Sequence, residues 1–152
     1  MNSLLIISTL GLGLVLFRLV VLDLRLRRLP DKYTLTLILA GLGVNAVWER
    51  GLPQSAILGT IFGFGVFWLI GAAYYRLRGV DGLGLGDAKL LAAAGAWLGV
   101  SWLPLVVLIA ASGSLIFVIW KGLTVGQTIP LGPGLAAAFF ALWVFRLFGQ
   151  LG

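Results

Sequence analysis

The stretch that decides the fold is residues 54–75, QSAILGTIFGFGVFWLIGAAYY, which runs for 22 positions without a charged side chain. A helix needs about 20 mainly apolar residues to cross the hydrocarbon core of a bilayer. Gly59 and Gly63 form a G-x-x-x-G pair within the stretch, a spacing that lets helices pack closely in lipid. The segment therefore predicts a transmembrane helix with a tightly packed neighbour.

Five further apolar stretches lie on either side of this segment. Together they predict six transmembrane helices, at residues 3–22, 33–48, 54–75, 87–100, 103–120 and 134–148. The chain is 61% hydrophobic, whereas a soluble domain is about 45–50% apolar, and its mean hydropathy is +1.10. We therefore predict an all-α, polytopic membrane protein in which residues 1–152 form a single transmembrane domain.

The basic residues predict an orientation. With the N-terminus outside, the outer face holds only Arg50 and Arg146, and the cytoplasmic side holds the other nine of the 11 basic residues. Such a bias in short loops is typical of the cytoplasmic side of a plasma (inner) membrane protein. The bases are dispersed between spans, so the net charge of +6 does not predict a nucleic-acid partner. The nine are Arg18, Arg25, Arg27, Arg28, Lys32, Arg76, Arg78, Lys89 and Lys121.

The composition also limits the chemistry. The chain has no Cys and no His, which excludes thiol nucleophiles, zinc held by thiolate or imidazole, and a Ser-His-Asp triad. No metal or cofactor is predicted. A Ser-Lys protease is formally open through Ser112 or Ser114, but these serines lie well inside the fifth predicted span and Lys121 lies near its end.

Asp23 and Asp87 are the acidic residues that topology brings together. Asp23 closes the first predicted span, Asp87 opens the fourth, and two crossings separate them, so both lie at the same membrane face. The fourth span has about 14 residues, or roughly 21 Å at 1.5 Å per residue, against a core of roughly 30 Å. Asp87 should therefore lie below the surface, in a cavity open to water. Its alternative role is that of a helix N-cap, while Glu49 and Asp81 are expected to be loop charges.

Two facing carboxylates predict acid–base chemistry. Like charges a few ångströms apart cannot both ionise, so the pair shares a proton and titrates as a unit. The ionised Asp can then take a proton from water while the neutral one donates to a scissile carbonyl. Gly84 and Gly86, which precede Asp87, would let the backbone bend sharply and a substrate strand approach closely.

The chain resembles a known family in three places. The first is residues 23–35, DLRLRRLPDKYTL, with 41–45, GLGVN. The second is residues 82–91, GLGLGDAKLL, with 95–99, GAWLG, and the third is residues 129–133, IPLGP. In this order and topology they resemble the prepilin peptidases, or type IV leader peptidases, of the GxGD class of intramembrane aspartic proteases.

The resemblance implies that Asp23 and Asp87 form the catalytic pair of a peptidase that removes the leader from type IV prepilins or pilin-like precursors at the cytoplasmic face. Asp31 and Lys89 are supporting residues: Asp31 would cap the second span or organise the loop, and Lys89 would orient Asp87 or anchor its helix. The expected partners are the precursor and the lipid bilayer. Larger members carry a cysteine-containing N-terminal region linked to N-methylation, so the chain resembles a short, peptidase-only form or the peptidase half of a longer enzyme.

Two other functions compete with this hypothesis. Buried aspartates also mark ion pathways, so a small proton- or ion-coupled transporter is one alternative. It would predict acidic residues at mid-depth in several spans, whereas the acidic residues here lie near span ends. A non-catalytic assembly subunit that uses its glycine-rich spans for packing is the other.

Overall fold

The computed structural model describes residues 2–26, 30–79, 84–122 and 131–151, and all the regular structure in these ranges is helical. This confirms the all-α prediction. Each predicted span coincides with one helix, although the helices begin and end at slightly different residues. A single 3-10 turn, Val100–Trp102, precedes the fifth helix. The helices are α1 (Asn2–Leu26), α2 (Asp31–Glu49), α3 (Gln54–Arg78), α4 (Leu85–Leu98), α5 (Leu103–Lys121) and α6 (Leu131–Leu151).

Four of the six helices in the described ranges are long and apolar enough to cross a membrane, namely α1, α3, α5 and α6. Their large apolar side chains are widely exposed, as in Ile7 of α1 and Ile119 of α5, which suits a surface that faces lipid. The chain is thus a helical membrane protein with several spans. Helices α2 and α4 are not among these four, so the count of six crossings stays a prediction.

The short helix α4 forms the centre of the bundle. Its residues from Leu90 to Leu98 are all buried, and several of them are alanines. Because these side chains are small, the backbones of neighbouring helices can approach closely. α4 packs most extensively against α3 and α2, and it also contacts α6.

The G-x-x-x-G pair of α3 lies where that helix crosses α4. A Cβ atom placed on Gly63 would be 2.6 Å from the carbonyl oxygen of Leu91, and one on Gly59 would be 2.5 Å from that of Gly95. No side chain fits at such distances, so the predicted close packing is confirmed at both glycines.

The contacts between the helices show that the six described helices alternate in direction, which gives the bundle two distinct ends. We call the end that holds Asp23 and Asp87 the carboxylate end; there α1 finishes and α2, α4 and α6 begin. At the opposite end, which we call the far end, α4 finishes at Leu98 and Gly99 follows with a φ of +87°. The sequence predicted that the fourth helix continues to residue 100, but the helix ends at Leu98, before Gly99, whose positive φ is one that glycine adopts readily.

Candidate active site

The carboxylate end brings Asp23, Asp87 and Gly132 together from three helices. Asp23 lies in the last turn of α1, Asp87 in the first turn of α4, and Gly132 is the second residue of α6. A Cβ atom placed on Gly132 would lie 3.1 Å from Cγ of Asp23 and 3.4 Å from Oδ1 of Asp87. Both carboxylates therefore reach the same point in space. The prediction that they lie at one end of the bundle agrees with this geometry, while their catalytic role stays a prediction.

The surroundings of Asp87 differ from those of a helix cap. α4 begins at Leu85, and the N-cap residue is Gly84, which makes no side-chain cap hydrogen bond. Asp87 is therefore the third residue of the helix, and its backbone N–H donates to the carbonyl of Gly84 at 3.0 Å. The suggested N-cap role of Asp87 is wrong. Its carboxylate still lies in the first turn, where the helix dipole favours negative charge.

The two glycines before Asp87 do not adopt a backbone conformation that requires glycine. Gly84 has φ of −68° and ψ of 135°, a conformation that any residue adopts, and neither Gly84 nor Gly86 has a positive φ. The predicted sharp bend at these glycines is therefore not observed. A Cβ on Gly84 would lie 3.7 Å from Oδ2 of Asp87, so glycine there leaves space beside the carboxylate.

Both carboxylates are accessible from the carboxylate end. Asp23 and Asp87 are partly exposed, and Gly84 is exposed. Among the residues that the structure describes, neither carboxylate accepts a hydrogen bond from a side chain. Within the described ranges, the carboxylate oxygens therefore keep acceptor capacity for water or a substrate group.

Asp31 and Lys89 form an ion pair beside the two carboxylates. Nζ of Lys89 lies 2.5 Å from Oδ1 of Asp31, joining the first turns of α2 and α4. The N-cap of α2 is Pro30, and no side chain caps that helix, so Asp31 does not cap it. Lys89 pairs with Asp31 and not with Asp87 in the described part of the chain. The two supporting residues therefore orient each other.

Gly132 is a site residue that the sequence prediction missed. The segment IPLGP was noted only for its resemblance, and Gly132 was not assigned a role. The predicted topology could have indicated Gly132, because the sixth helix begins at the same end of the bundle as Asp23 and Asp87. A glycine at the start of that helix is the one residue type that leaves both carboxylates in place, since any Cβ would collide with Asp23.

The serines raised by the Ser-Lys alternative do not form such a site. Ser112 is exposed and its hydroxyl donates to the carbonyl of Leu108 within its own helix at 2.7 Å. Ser114 is buried against Gly134, while Nζ of Lys121 lies over the ring of Trp120. Asp81, Arg27 and Arg28 lie outside the described residues.

The fold and the site together define a helical membrane protein with a pair of facing carboxylates at one end of its bundle. Comparison with known proteins then identifies its family. Residues 10–119, which include both aspartates, match the type IV leader peptidase family. The chain belongs to this family.

Three curated relatives carry the name prepilin leader peptidase/N-methyltransferase. The protein of Burkholderia pseudomallei (strain 1026b) is 40% identical over 143 residues, which are 91% of this chain and 46% of the relative. That of Escherichia coli (strain K12) is 41% identical over 119 residues, 76% of this chain and 53% of the relative. That of Neisseria gonorrhoeae is 39% identical over 134 residues, 86% and 46% respectively. The chain thus spans about half the length of these relatives. No solved structure matches it.

Proposed function

We propose that this chain is an aspartic endopeptidase of the plasma membrane, which cleaves the leader peptide from type IV prepilins or pilin-like precursors at the cytoplasmic face. The observation that carries the proposal is the meeting of Asp23 and Asp87 at Gly132 in a chain of the type IV leader peptidase family. The curated relatives, by their printed names, are prepilin leader peptidases.

The two carboxylates supply a complete acid–base mechanism for peptide hydrolysis. One ionised Asp removes a proton from a water molecule, and that water attacks the scissile carbonyl carbon. The neutral Asp donates its proton to the carbonyl oxygen, giving a tetrahedral diol. The C–N bond then breaks as a proton passes to the leaving amine, and the pair returns to a state with one shared proton. No other group is needed to balance the reaction.

The position of the site suits a substrate that is polar on one side and apolar on the other. Asp23 and Asp87 lie at helix ends, partly exposed, while α4 behind them is buried. A precursor whose hydrophobic helix lies in the bilayer would present the peptide bond just before that helix at this depth. The excess of basic residues at this end supports a cytoplasmic location for the site.

A cleavage assay in native-like membranes tests the proposal, with pilin-like precursors from the same genome as substrates. We expect the unsubstituted chain to release the leader, and Asp23→Asn and Asp87→Asn to reduce release by at least about 100-fold at equal protein levels. Glu49→Gln is the matched control, because Glu49 is an exposed carboxylate at the far end. Cleavage at an undiminished rate in either aspartate variant would remove the shared-dyad assignment. An inactive unsubstituted chain, across several precursors, would favour a transporter or an assembly subunit.

A further inference from the structure

The far end of α4 contains a buried polar cluster that the catalytic proposal does not use. We define it by three residues: Asn45 of α2, Arg146 of α6 and Trp97 of α4. Asn45 is 1% exposed, and Arg146 is partly buried. A polar amide and a guanidinium inside an apolar bundle are retained only when they satisfy other polar groups.

The cluster satisfies the free carbonyl groups at the end of α4. The last four carbonyls of a helix have no partner within it, and Ala96, Trp97 and Leu98 are buried, so their carbonyls need partners from elsewhere in the protein. Nδ2 of Asn45 donates to the carbonyl oxygens of Ala96 at 2.8 Å and Trp97 at 3.0 Å. Nη1 of Arg146 donates to the same carbonyl of Trp97 at 2.6 Å. Side chains from two other helices therefore cap α4.

The two capping residues are themselves held in place. Nη2 of Arg146 donates to Oδ1 of Asn45 at 3.4 Å. The guanidinium carbon lies 5.2 Å from the ring centroid of Trp48 and 5.9 Å from that of Trp143, distances at which a cation is attracted to an aromatic face. A positive charge at a helix C-terminus is also favoured by the helix dipole. The guanidinium group of Arg146, which caps α4, is thus held in place by two aromatic rings.

A second set of contacts fixes the rotation of α4. Nε1 of Trp97 donates to the carbonyl oxygen of Leu37 on α2 at 2.8 Å. A Cβ on Gly41 would lie 2.7 Å from this same Nε1, so the indole ring lies directly on the backbone of α2. Asn45 lies one turn further along α2. The contacts of α2 with α4 at these points therefore oppose both translation of α4 along its axis and rotation about it.

These contacts have a consequence at the other end of the helix. Asp87 precedes Trp97 by ten residues on the same rigid helix, or about 15 Å. α6 runs alongside, with Gly132 against the carboxylates at its start and Arg146 on the cap near its end. α6 thus contacts α4 at both places. The position of α4 along its own axis, which the cap fixes, therefore determines where Asp87 lies relative to Asp23.

We propose that Asn45 and Arg146 are positioning residues of the peptidase, which cap α4 and thereby hold Asp87 in register with Asp23 and Gly132. This inference rests on the proposed function for its effect on cleavage, but its structural part stands independently. Neither Asn45 nor Arg146 touches the reacting atoms. Both act through α4, the helix that carries Asp87.

The experiment measures register and activity separately in the full chain reconstituted in lipid. The chain has no native cysteine, so spin labels on Leu24→Cys in α1 and Leu85→Cys in α4, both exposed positions, report the distance between the helices that carry the aspartates. In this labelled chain, Asn45→Leu and Arg146→Met are expected to displace the distance distribution. Thr34→Val is the matched control, because Thr34 is a buried polar residue of α2 whose hydroxyl, in the described part of the chain, donates only within its own helix.

Cleavage is measured in the unlabelled variants. A misplacement of about 1 Å can cost roughly 100-fold in rate, so we expect kcat to fall about 10- to 100-fold while KM stays within about twofold. Arg146→Lys, which keeps the charge but loses the fork, should recover part of the loss seen in Arg146→Met. If Asn45→Leu does not accumulate, the two Arg146 variants are compared alone. Their activities and label distances then test whether the cap holds α4 in register.

An unaltered label distance in the Asn45 and Arg146 variants would overturn the inference, and so would a loss of kcat that Thr34→Val reproduces. Failure of the proposed function looks different. In that case the unsubstituted chain cleaves no precursor, while the label distances still show whether the cap holds the register of α4.

Discussion

The two ends of α4 are built in opposite ways. At the carboxylate end, Asp87 is partly exposed and contacts Gly132 and Gly84, which have no side chains. At the far end, Trp97 is buried, its carbonyl accepts hydrogen bonds from two helices, and its ring packs edge-to-face on Trp143 at 4.9 Å between centroids. Among the described residues, the Asp87 carboxylate at one end of the helix accepts no side-chain hydrogen bond, whereas the other end is fixed by several side-chain contacts.

The difference between the two ends of α4 places the contacts that stabilise the helix away from the groups that carry out the chemistry. Acid–base groups work best when their oxygens are free to change partners, so a site gains from having few internal hydrogen bonds. The same groups must also be held within a fraction of an ångström. Placing the restraints about 15 Å away along a rigid helix meets both requirements. Substitutions at the two ends should then affect different measurements.

The largest effect on activity is expected from the carboxylates themselves. Asp23→Asn or Asp87→Asn should reduce cleavage by roughly 10²–10⁴-fold, the range supplied by general acid–base catalysis. The thermal unfolding temperature in detergent should not fall, because neither substitution breaks a side-chain hydrogen bond among the described residues. A variant that is inactive only because it unfolds would contradict the separation of the two ends.

Gly132→Ala should give the next largest loss of activity. The new Cβ would lie within 3.4 Å of Oδ1 of Asp87 and closer still to Asp23, so the carboxylates must move apart, at a cost of roughly 100-fold in kcat. Stability should change little, because both neighbours are partly exposed side chains that can move. Gly43→Ala is the control, since a Cβ there meets nothing within 4 Å. Equal activity in the two variants would show that the carboxylates do not need Gly132.

The sequence alone predicted the helices and the placement of the two aspartates at one end of the bundle, because both depend on simple counts. Apolar runs of about 20 residues give helices in lipid, and an even number of crossings places Asp23 and Asp87 at one end. It did not predict the role of Arg146, which was assigned to the outer face as an ordinary charge. In the structure its guanidinium lies on the carbonyl of Trp97. Such a contact depends on how α6 packs against α4, and no local pattern encodes that.

Substitutions at the far end should, in contrast, lower the stability of the protein. Gly41→Ala places a methyl group 2.7 Å from Nε1 of Trp97, and overpacking of this kind costs about 1–3 kcal/mol. Thermal or denaturant unfolding in detergent measures the loss. Gly43→Ala on the same helix again serves as the control and should be close to neutral. A Gly41→Ala variant of unchanged stability would mean that Trp97 does not lie tightly on α2.

The smallest effect is expected from the ion pair beside the site. Asp31→Asn removes the partner of Lys89, but the Asp31 side chain is 72% exposed, and such a pair contributes no more than about 1 kcal/mol. Because salt screens exposed charges, the difference between Asp31→Asn and the unsubstituted chain should shrink as ionic strength rises. We therefore expect only a few-fold change in cleavage, measured across a salt series, with Lys89→Met behaving alike. If either variant instead lost activity as completely as Asp87→Asn at all salt concentrations, that residue would belong to the reacting groups, and the carboxylate end would contain more than two aspartates and a glycine.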